Sequence, residues 1–248
     1  MARLSLGLTV IAGLSGCSFL PDQGSGPKDA RAPQMQRASL VGAAPPRLPM
    51  DQAARNFAEV LARLEPVAEA ACRKQSQTRV CDFQIGVDMN TDELPNAYQT
   101  LGDNGRPQIV FTISLIAEAR NSDELAFVLG HEAAHHILGH LVTSQKEALN
   151  GAILGGILAS VTGGNAKEVE RAQQIGAQFG ALRFSKEHEL EADELGTILA
   201  YQAGYNAVVG AEFFNRLPDP GVGFLNSHPG NDARQAVVFA TYARVSGQ

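Results

Sequence analysis

The residues of this chain best suited to chemistry are His131, His135 and the glutamate that follows the first histidine, Glu132. They form the pattern H-E-x-x-H. A helix turns about 100° per residue, so it carries both imidazoles on one face, about 40° apart. Two imidazoles placed in this way can bind one Zn²⁺. Glu132 lies about 100° round the helix from His131, beside such a metal, which suits a general base acting on the attacking water.

A catalytic zinc site takes a third protein ligand, and the acidic residues downstream offer one. Glu189 and Asp193 are four residues apart on a helix that Ser185 is expected to cap, so both face the same way. One carboxylate can bind the metal while the other accepts the second ring N–H of a ligand histidine. Glu191 points about 200° away from Glu189. The alternative is an acidic helix face that is simply solvated.

Two further histidines, His136 and His140, follow the pattern closely. On one continuous helix they lie about 140° and 180° round from His131, so neither can face the same metal. We therefore predict that they are surface or second-layer histidines.

The helix that carries the pattern is expected to run from Ser122, as its cap, to His140. Upstream, 82–89 and 108–112 have strand-like patterns, and 102–105 carries a turn signal, which together predict a small antiparallel sheet. The last strand contains Ile109, Val110 and Phe111. It is either an ordinary core strand or a sheet edge that binds extended peptides through main-chain hydrogen bonds.

An uncharged, glycine-rich stretch separates the two motifs, from Leu149 to Gly164. It is too short to span a bilayer. It is either a small-residue helix packed on the domain or an apolar flap that touches a membrane.

The N-terminus has the pattern of an exported lipoprotein. Residues 1–16 read as a signal peptide, and Cys17 follows Leu14-Ser15-Gly16, a pattern that resembles the site where lipids are attached to bacterial lipoproteins. Residues 17–50 are rich in Pro, Gly, Ser and Ala and are expected to be a flexible tether, with the folded domain at 51–248. Ser18 favours the outer membrane by resemblance to envelope sorting rules. The alternative is a plain secretory signal or a buried apolar segment.

The number of cysteines agrees with export. If Cys17 carries lipid, an even number remains, Cys72 and Cys81. Two cysteines in an exported domain are expected to form a disulfide, although two reduced thiols are the alternative.

The chain has 248 residues and a net charge of −6, with no basic patch or tail that would indicate nucleic acid binding. Its composition says nothing about oligomeric state.

Taken together, these motifs resemble the HtpX-like and CAAX-prenyl-protease-type zinc metallopeptidases, family forty-eight of the metallopeptidases, within the gluzincin group. The resemblance rests on H-E-x-x-H followed some fifty residues later by E-x-E-A-D at 189–193. It extends to Asn96-Ala97-Tyr98, Ser227-His228-Pro229 and Arg234. Two features differ from other members: long transmembrane helices are absent, and no C-terminal helical-repeat domain is expected. The chain therefore resembles an exported lipoprotein branch.

The resemblance implies an α+β fold, a mostly helical gluzincin-like domain with a small sheet beside the active-site helix. It implies one Zn²⁺ per chain, with Glu189 as the third ligand, His228 near the metal or the oxyanion, and Arg234 at the site. It implies an endopeptidase that cleaves misfolded or exported polypeptides of the cell envelope, held to the membrane by its N-terminal lipid. The alternative is a zinc-containing chaperone or binding lipoprotein without turnover.

Overall fold

The computed structural model describes residues 45–76, 79–216 and 232–247, without the side chains of 179–185. These residues form seven helices and three strands. The helices are α1 (Met50–Gln75), α2 (Ile113–Glu118), α3 (Ser122–Leu138), α4 (His140–Val161), α5 (Ala166–Gln202), α6 (Ala207–Arg216) and α7 (Asp232–Ser246), and the strands are β1 (Gln84–Asp88), β2 (Ala97–Leu101) and β3 (Pro107–Thr112). The fold is α+β and mostly helical, as the sequence predicts.

Helix α1 packs one apolar face against α3. Its buried residues recur every three or four positions, which is the spacing of one helical face: Ala53, Phe57, Val60, Leu64, Ala68 and Cys72. A disulfide joins Cys72, in the last turn of α1, to Cys81 just before β1. The predicted pairing is thus present, and it holds the segment that leads into β1 against the end of α1.

The sheet is mixed, with strand order β1-β3-β2. Strands β2 and β3 form the predicted antiparallel hairpin, but β1 pairs parallel to β3. The prediction of a purely antiparallel sheet is therefore wrong for β1.

The hypothesis that Ile109, Val110 and Phe111 form a substrate-binding edge is also wrong, because β3 is hydrogen-bonded on both sides. Its amide and carbonyl groups are used by β1 and β2, and Ile109 and Phe111 are fully buried. Within the described residues the edge strands are β1 and β2, and β2 packs along α3.

Helices α4 and α5 form a close-packed hairpin. A Cβ on Gly155 would lie 2.2 Å from the carbonyl oxygen of Ala172, and one on Gly176 would lie 2.1 Å from that of Gly151. Only glycine permits this approach. The stretch 149–164 is thus the end of α4 and a turn, packed against α5, so the predicted helix is present, and contact with a membrane stays a prediction. Its outer face still exposes Leu149, Ile153, Leu154, Ile157, Leu158 and Val161.

Across the described part of the chain, none of the helices combines the length and the apolar character that a membrane crossing requires.

The capping residue predicted for two helices is wrong. Asn121, not Ser122, caps α3, because its side-chain oxygen accepts from the backbone N–H of Glu124. Helix α5 runs unbroken through Ser185 and is instead capped at Asn165, which forms a capping box with Glu168. No proline interrupts this sequence, and packing against α4 and then α3 supports the helix along its length.

Candidate metal centre and active site

Helix α3 holds the H-E-x-x-H residues in the centre of the domain. It is buried on nearly every side, with the sheet and α1, α5 and α6 packed around it. His131 is fully buried, Glu132 is 1% exposed, and His135 retains some contact with solvent. Packing on all sides fixes the direction in which each of these side chains leaves the helix.

Two glycines set the crossing of α3 and α5. A Cβ on Gly130 would lie 2.8 Å from the carbonyl oxygen of Gly196, and one on Gly196 would lie 2.9 Å from the backbone nitrogen of His131. The backbones therefore touch at the residue that starts the motif. This contact brings Glu189 and Asp193 of α5 against the two histidines.

His131, His135 and Glu189 form a cluster that could hold a metal ion. The Nε2 atoms of the two histidines are 3.0 Å apart, and the Glu189 carboxylate oxygens lie 3.3 Å and 3.4 Å from them. Tetrahedral zinc with bonds of about 2.0–2.1 Å separates its ligand atoms by roughly 3.3 Å. The donor set and its spacing therefore fit zinc.

The second nitrogen of His131 is held by Asp193. Its Nδ1 lies 2.9 Å from Oδ1 of Asp193, so the Nδ1–H donates and the Nε2 lone pair faces the cluster. Burial alone would lower the pKa of His131, but hydrogen bonds to Asp193 and Glu189 raise it to about 9 in the metal-free protein. Metal binding must therefore displace a proton from His131 near neutral pH.

Arg234 of α7 links the two acids. Its Nε and Nη2 donate to Asp193 at 2.6 Å and 2.7 Å, its Nη1 lies 3.0 Å from Glu189, and the guanidinium stacks on Phe214. Burial would raise the pKa of Asp193, but hydrogen bonds from Arg234 and His131 hold it below its usual value. The side chain that the resemblance placed at the site thus fixes both carboxylates.

The second nitrogen of His135 is held by a different pair. Its Nδ1 lies 2.9 Å from Nδ1 of His140, whose Nε2 lies 3.0 Å from Glu191. A consistent assignment has His135 donating to His140 and His140 donating to Glu191. Both ligand histidines are thus oriented by an acid of α5, one directly and one through a second imidazole.

The prediction for His140 is correct in outcome but wrong in its reason. Helix α3 ends at Leu138, and Gly139 adopts the left-handed conformation at φ 79°, so His140 begins a new helix. It is a buried second-layer residue, stacked on His188 at 4.2 Å. His136 is also buried, with its Nε2 2.8 Å from the carbonyl oxygen of Val80, and it is not in the cluster.

Three features escaped the sequence reasoning: the glycine contact, the His140–Glu191 pair and the linking role of Arg234. Gly139 could have indicated the His140–Glu191 pair, because a glycine just past an apolar run commonly ends a helix. Two predicted functional residues, Cys17 and His228, lie outside the described residues.

Comparison with known proteins gives a consistent family assignment. Residues 54–240 match the model of peptidase family M48. A beta-barrel assembly-enhancing protease of Yersinia pestis is 29% identical over 138 residues, 53% of this chain and 27% of that protein. The mitochondrial metalloendopeptidase OMA1 of Arabidopsis thaliana is 29% identical over 134 residues, 52% of this chain and 26% of that protein. The Escherichia coli beta-barrel assembly-enhancing protease is 26% identical over 138 residues, with 53% and 27% covered. The chain matches about a quarter of the length of these relatives.

Proposed function

The chain belongs to peptidase family M48, and from this premise we propose that it is a zinc-dependent endopeptidase of the bacterial cell envelope. The observation that carries the proposal is the cluster of His131, His135 and Glu189 with Glu132 next in sequence to the first ligand. All of these side chains are wholly or largely buried on two helices that touch through glycine. Such a rigid arrangement suits catalysis better than loose metal capture.

Zn²⁺ held by the cluster would supply Lewis acidity, polarising the scissile carbonyl and lowering the pKa of water. The other steps belong to the protein. Glu132 takes the proton of the attacking water and later delivers it to the leaving amine. Asp193 and His140 hold the two imidazoles in the tautomers that point Nε2 at the metal. We propose that His228 assists near the metal or the oxyanion.

The proposed substrates are misfolded or exported polypeptides of the envelope, in a quality-control role. Two relatives are named for enhancing β-barrel assembly, which agrees with substrates in that compartment. The disulfide between Cys72 and Cys81 supports export, because such bonds persist in oxidising compartments.

We further propose that Cys17 carries the lipid anchor and that the protein faces the periplasm from the outer membrane. Labelling with palmitate tests the anchor: the wild type should be labelled, and Cys17→Ser should not. An unlabelled wild type removes the anchor from the proposal.

The function itself is tested by digestion of an unfolded protein with the zinc-loaded wild type, the chelator-treated protein and Glu132→Gln. Cleavage by the zinc-loaded wild type alone is the expected result. Glu170→Gln is the matched control, because Glu170 is a surface residue of the α4–α5 hairpin, and it should cleave normally. Protection of the unfolded protein from aggregation without cleavage, equal in wild type and Glu132→Gln, would support the chaperone alternative instead.

A further inference from the structure

A small cavity of about 130 Å³ opens beside the metal cluster. The cavity is lined by His135, a residue of that cluster, by Gln99 and Leu101 of β2, and by Leu141 and Val142 of α4. The cavity therefore lies between one proposed metal ligand, His135, and an edge strand of the sheet, where a bound substrate would pass.

Arg79 is the charged residue in this lining. Its Nη1 donates to the carbonyl oxygens of His136 and Ile137 in the last turn of α3. Its charge is thus already directed at the negative end of that helix. The other lining residues are four aliphatic residues, two glycines, Gln99 and two histidines, and most of the lining surface is apolar, so the cavity favours an apolar occupant.

The geometry of β2 shows how a substrate side chain reaches the cavity. Residues alternate along a strand, so Ala97, Gln99 and Leu101 share the face that packs toward α3, and Ala97 is fully buried there. A peptide that adds to the outer edge of β2 alternates in the same way. Every second side chain then points toward the face that carries Gln99 and Leu101.

The size of the cavity limits which side chain it takes. An apolar cavity of about 150 Å³ can hold benzene, so about 130 Å³ suits an aliphatic side chain better than a large aromatic one. We propose that this cavity is a substrate pocket that selects Leu, Ile, Val or Met at a position next to the scissile bond. The inference rests on the proposed peptidase function.

Val142 is the lining residue best suited to a test of the pocket. It is part of the wall and 44% exposed, so a larger side chain can be placed there without disturbing the core. We expect the ring in Val142→Phe to fill the cavity. The matched control is Val161→Phe on the outer face of the same helix, where the valine is 75% exposed.

The test compares kcat/KM for peptides built on one mapped cleavage site, with Leu, Ala or Glu at the selected position. The wild type and Val161→Phe should prefer Leu over Ala by at least about tenfold, since even one methylene in an apolar pocket contributes about 10–200-fold. In Val142→Phe that ratio should fall to about one. A wild type that ignores this position, or one that prefers Glu through Arg79, overturns the proposal. So does an unchanged ratio in Val142→Phe.

A binding measurement separates failure of the pocket from failure of the peptidase. Two peptide hydroxamates that differ only in a Leu or Ala side chain are titrated into the zinc-loaded protein. Tighter binding of the Leu compound by at least tenfold, lost in Val142→Phe, supports the pocket even if no substrate is cleaved. Equal affinities for the two compounds overturn it, whether or not the protein is a peptidase.

Discussion

Replacing Gly196 by alanine should move the two halves of the metal site apart. The added Cβ would lie 2.9 Å from the nitrogen and 3.0 Å from the Cα of His131, and 3.1 Å from the carbonyl carbon of Gly130. All three are backbone atoms, so no side chain can rotate away. Ordinary contact begins near 3.4 Å, so α5 must shift relative to α3 by about half an ångström.

The energetic consequences of that shift differ for folding and for metal binding. Alanine favours a helix over glycine by about 1 kcal/mol, while overpacking costs about 1–3 kcal/mol. The metal-free protein should therefore lose only about 0–2 kcal/mol. Metal–ligand distances tolerate only about 0.2 Å. Glu189 moves with α5 and the histidines with α3, so metal affinity should fall about 10–100-fold, as when a supporting contact is lost.

Both quantities can be measured on one preparation, by urea unfolding of the metal-free protein and by chelator competition for zinc. Gly86→Ala is the matched control, because a Cβ at Gly86 meets nothing within 4 Å. It should gain up to about 1 kcal/mol, since glycine weakens a strand, and leave zinc affinity unchanged. If Gly196→Ala binds zinc as tightly as the wild type, the glycine contact does not set the site.

Three further predictions concern the supports of the site and the domain. His140→Ala should weaken zinc binding about 10–100-fold, and Glu191→Gln by less, because the Glu191 side chain is 60% exposed. Replacing Cys72 and Cys81 together by serine should lower the free energy of unfolding by about 3 kcal/mol, from the loop that the disulfide closes, as urea unfolding will measure. Zinc affinity should rise about tenfold from pH 7 to pH 8 in chelator competition, because the metal displaces a proton from His131, whose pKa in the metal-free protein is about 9.

Each of these three predictions has a result that would contradict it. His136→Ala is the control for His140, being a buried histidine outside the cluster, and equal zinc loss in both variants would remove the specific role of His140. Equal stability of reduced and oxidised protein would contradict the disulfide prediction. The protonated His131 stabilises the metal-free fold fully below its unfolded pKa of about 6.5 and less as pH rises through about 9. A flat affinity between pH 7 and pH 8 would show that this proton is absent.

The metal ligands could be predicted from the sequence because their spacing is local. His131 and His135 need only one helical turn, and Glu189 and Asp193 need only another. The break at Ser185 that the sequence suggested did not matter, because both acids lie well inside α5. Helix periodicity alone placed these side chains on common faces.

The strand order could not be predicted in the same way, because pairing depends on contacts distant in sequence. The hairpin of β2 and β3 has a local turn signal, whereas β1 joins β3 across 18 intervening residues. Because β1 pairs with β3, the strand that contains Ile109, Val110 and Phe111 lies in the centre of the sheet and not at its edge. The edge strand that packs along α3 is β2, so β2 replaces β3 as the proposed peptide-binding strand.

Acids of one helix, α5, orient the imidazoles of both His131 and His135, and the second of these contacts depends on the turn at Gly139. Asp193 reaches His131 directly, but Glu191 leaves α5 on another side and cannot reach His135 itself. On a continuous helix His140 would point away from the metal. Because Gly139 takes a positive φ and ends α3, α4 starts in a new direction and places His140 between His135 and Glu191. A side chain at Gly139 would meet the strain of φ 79°, and the Arg79 guanidinium 2.8 Å from its Cβ would have to move, so the turn that orients the second ligand favours glycine.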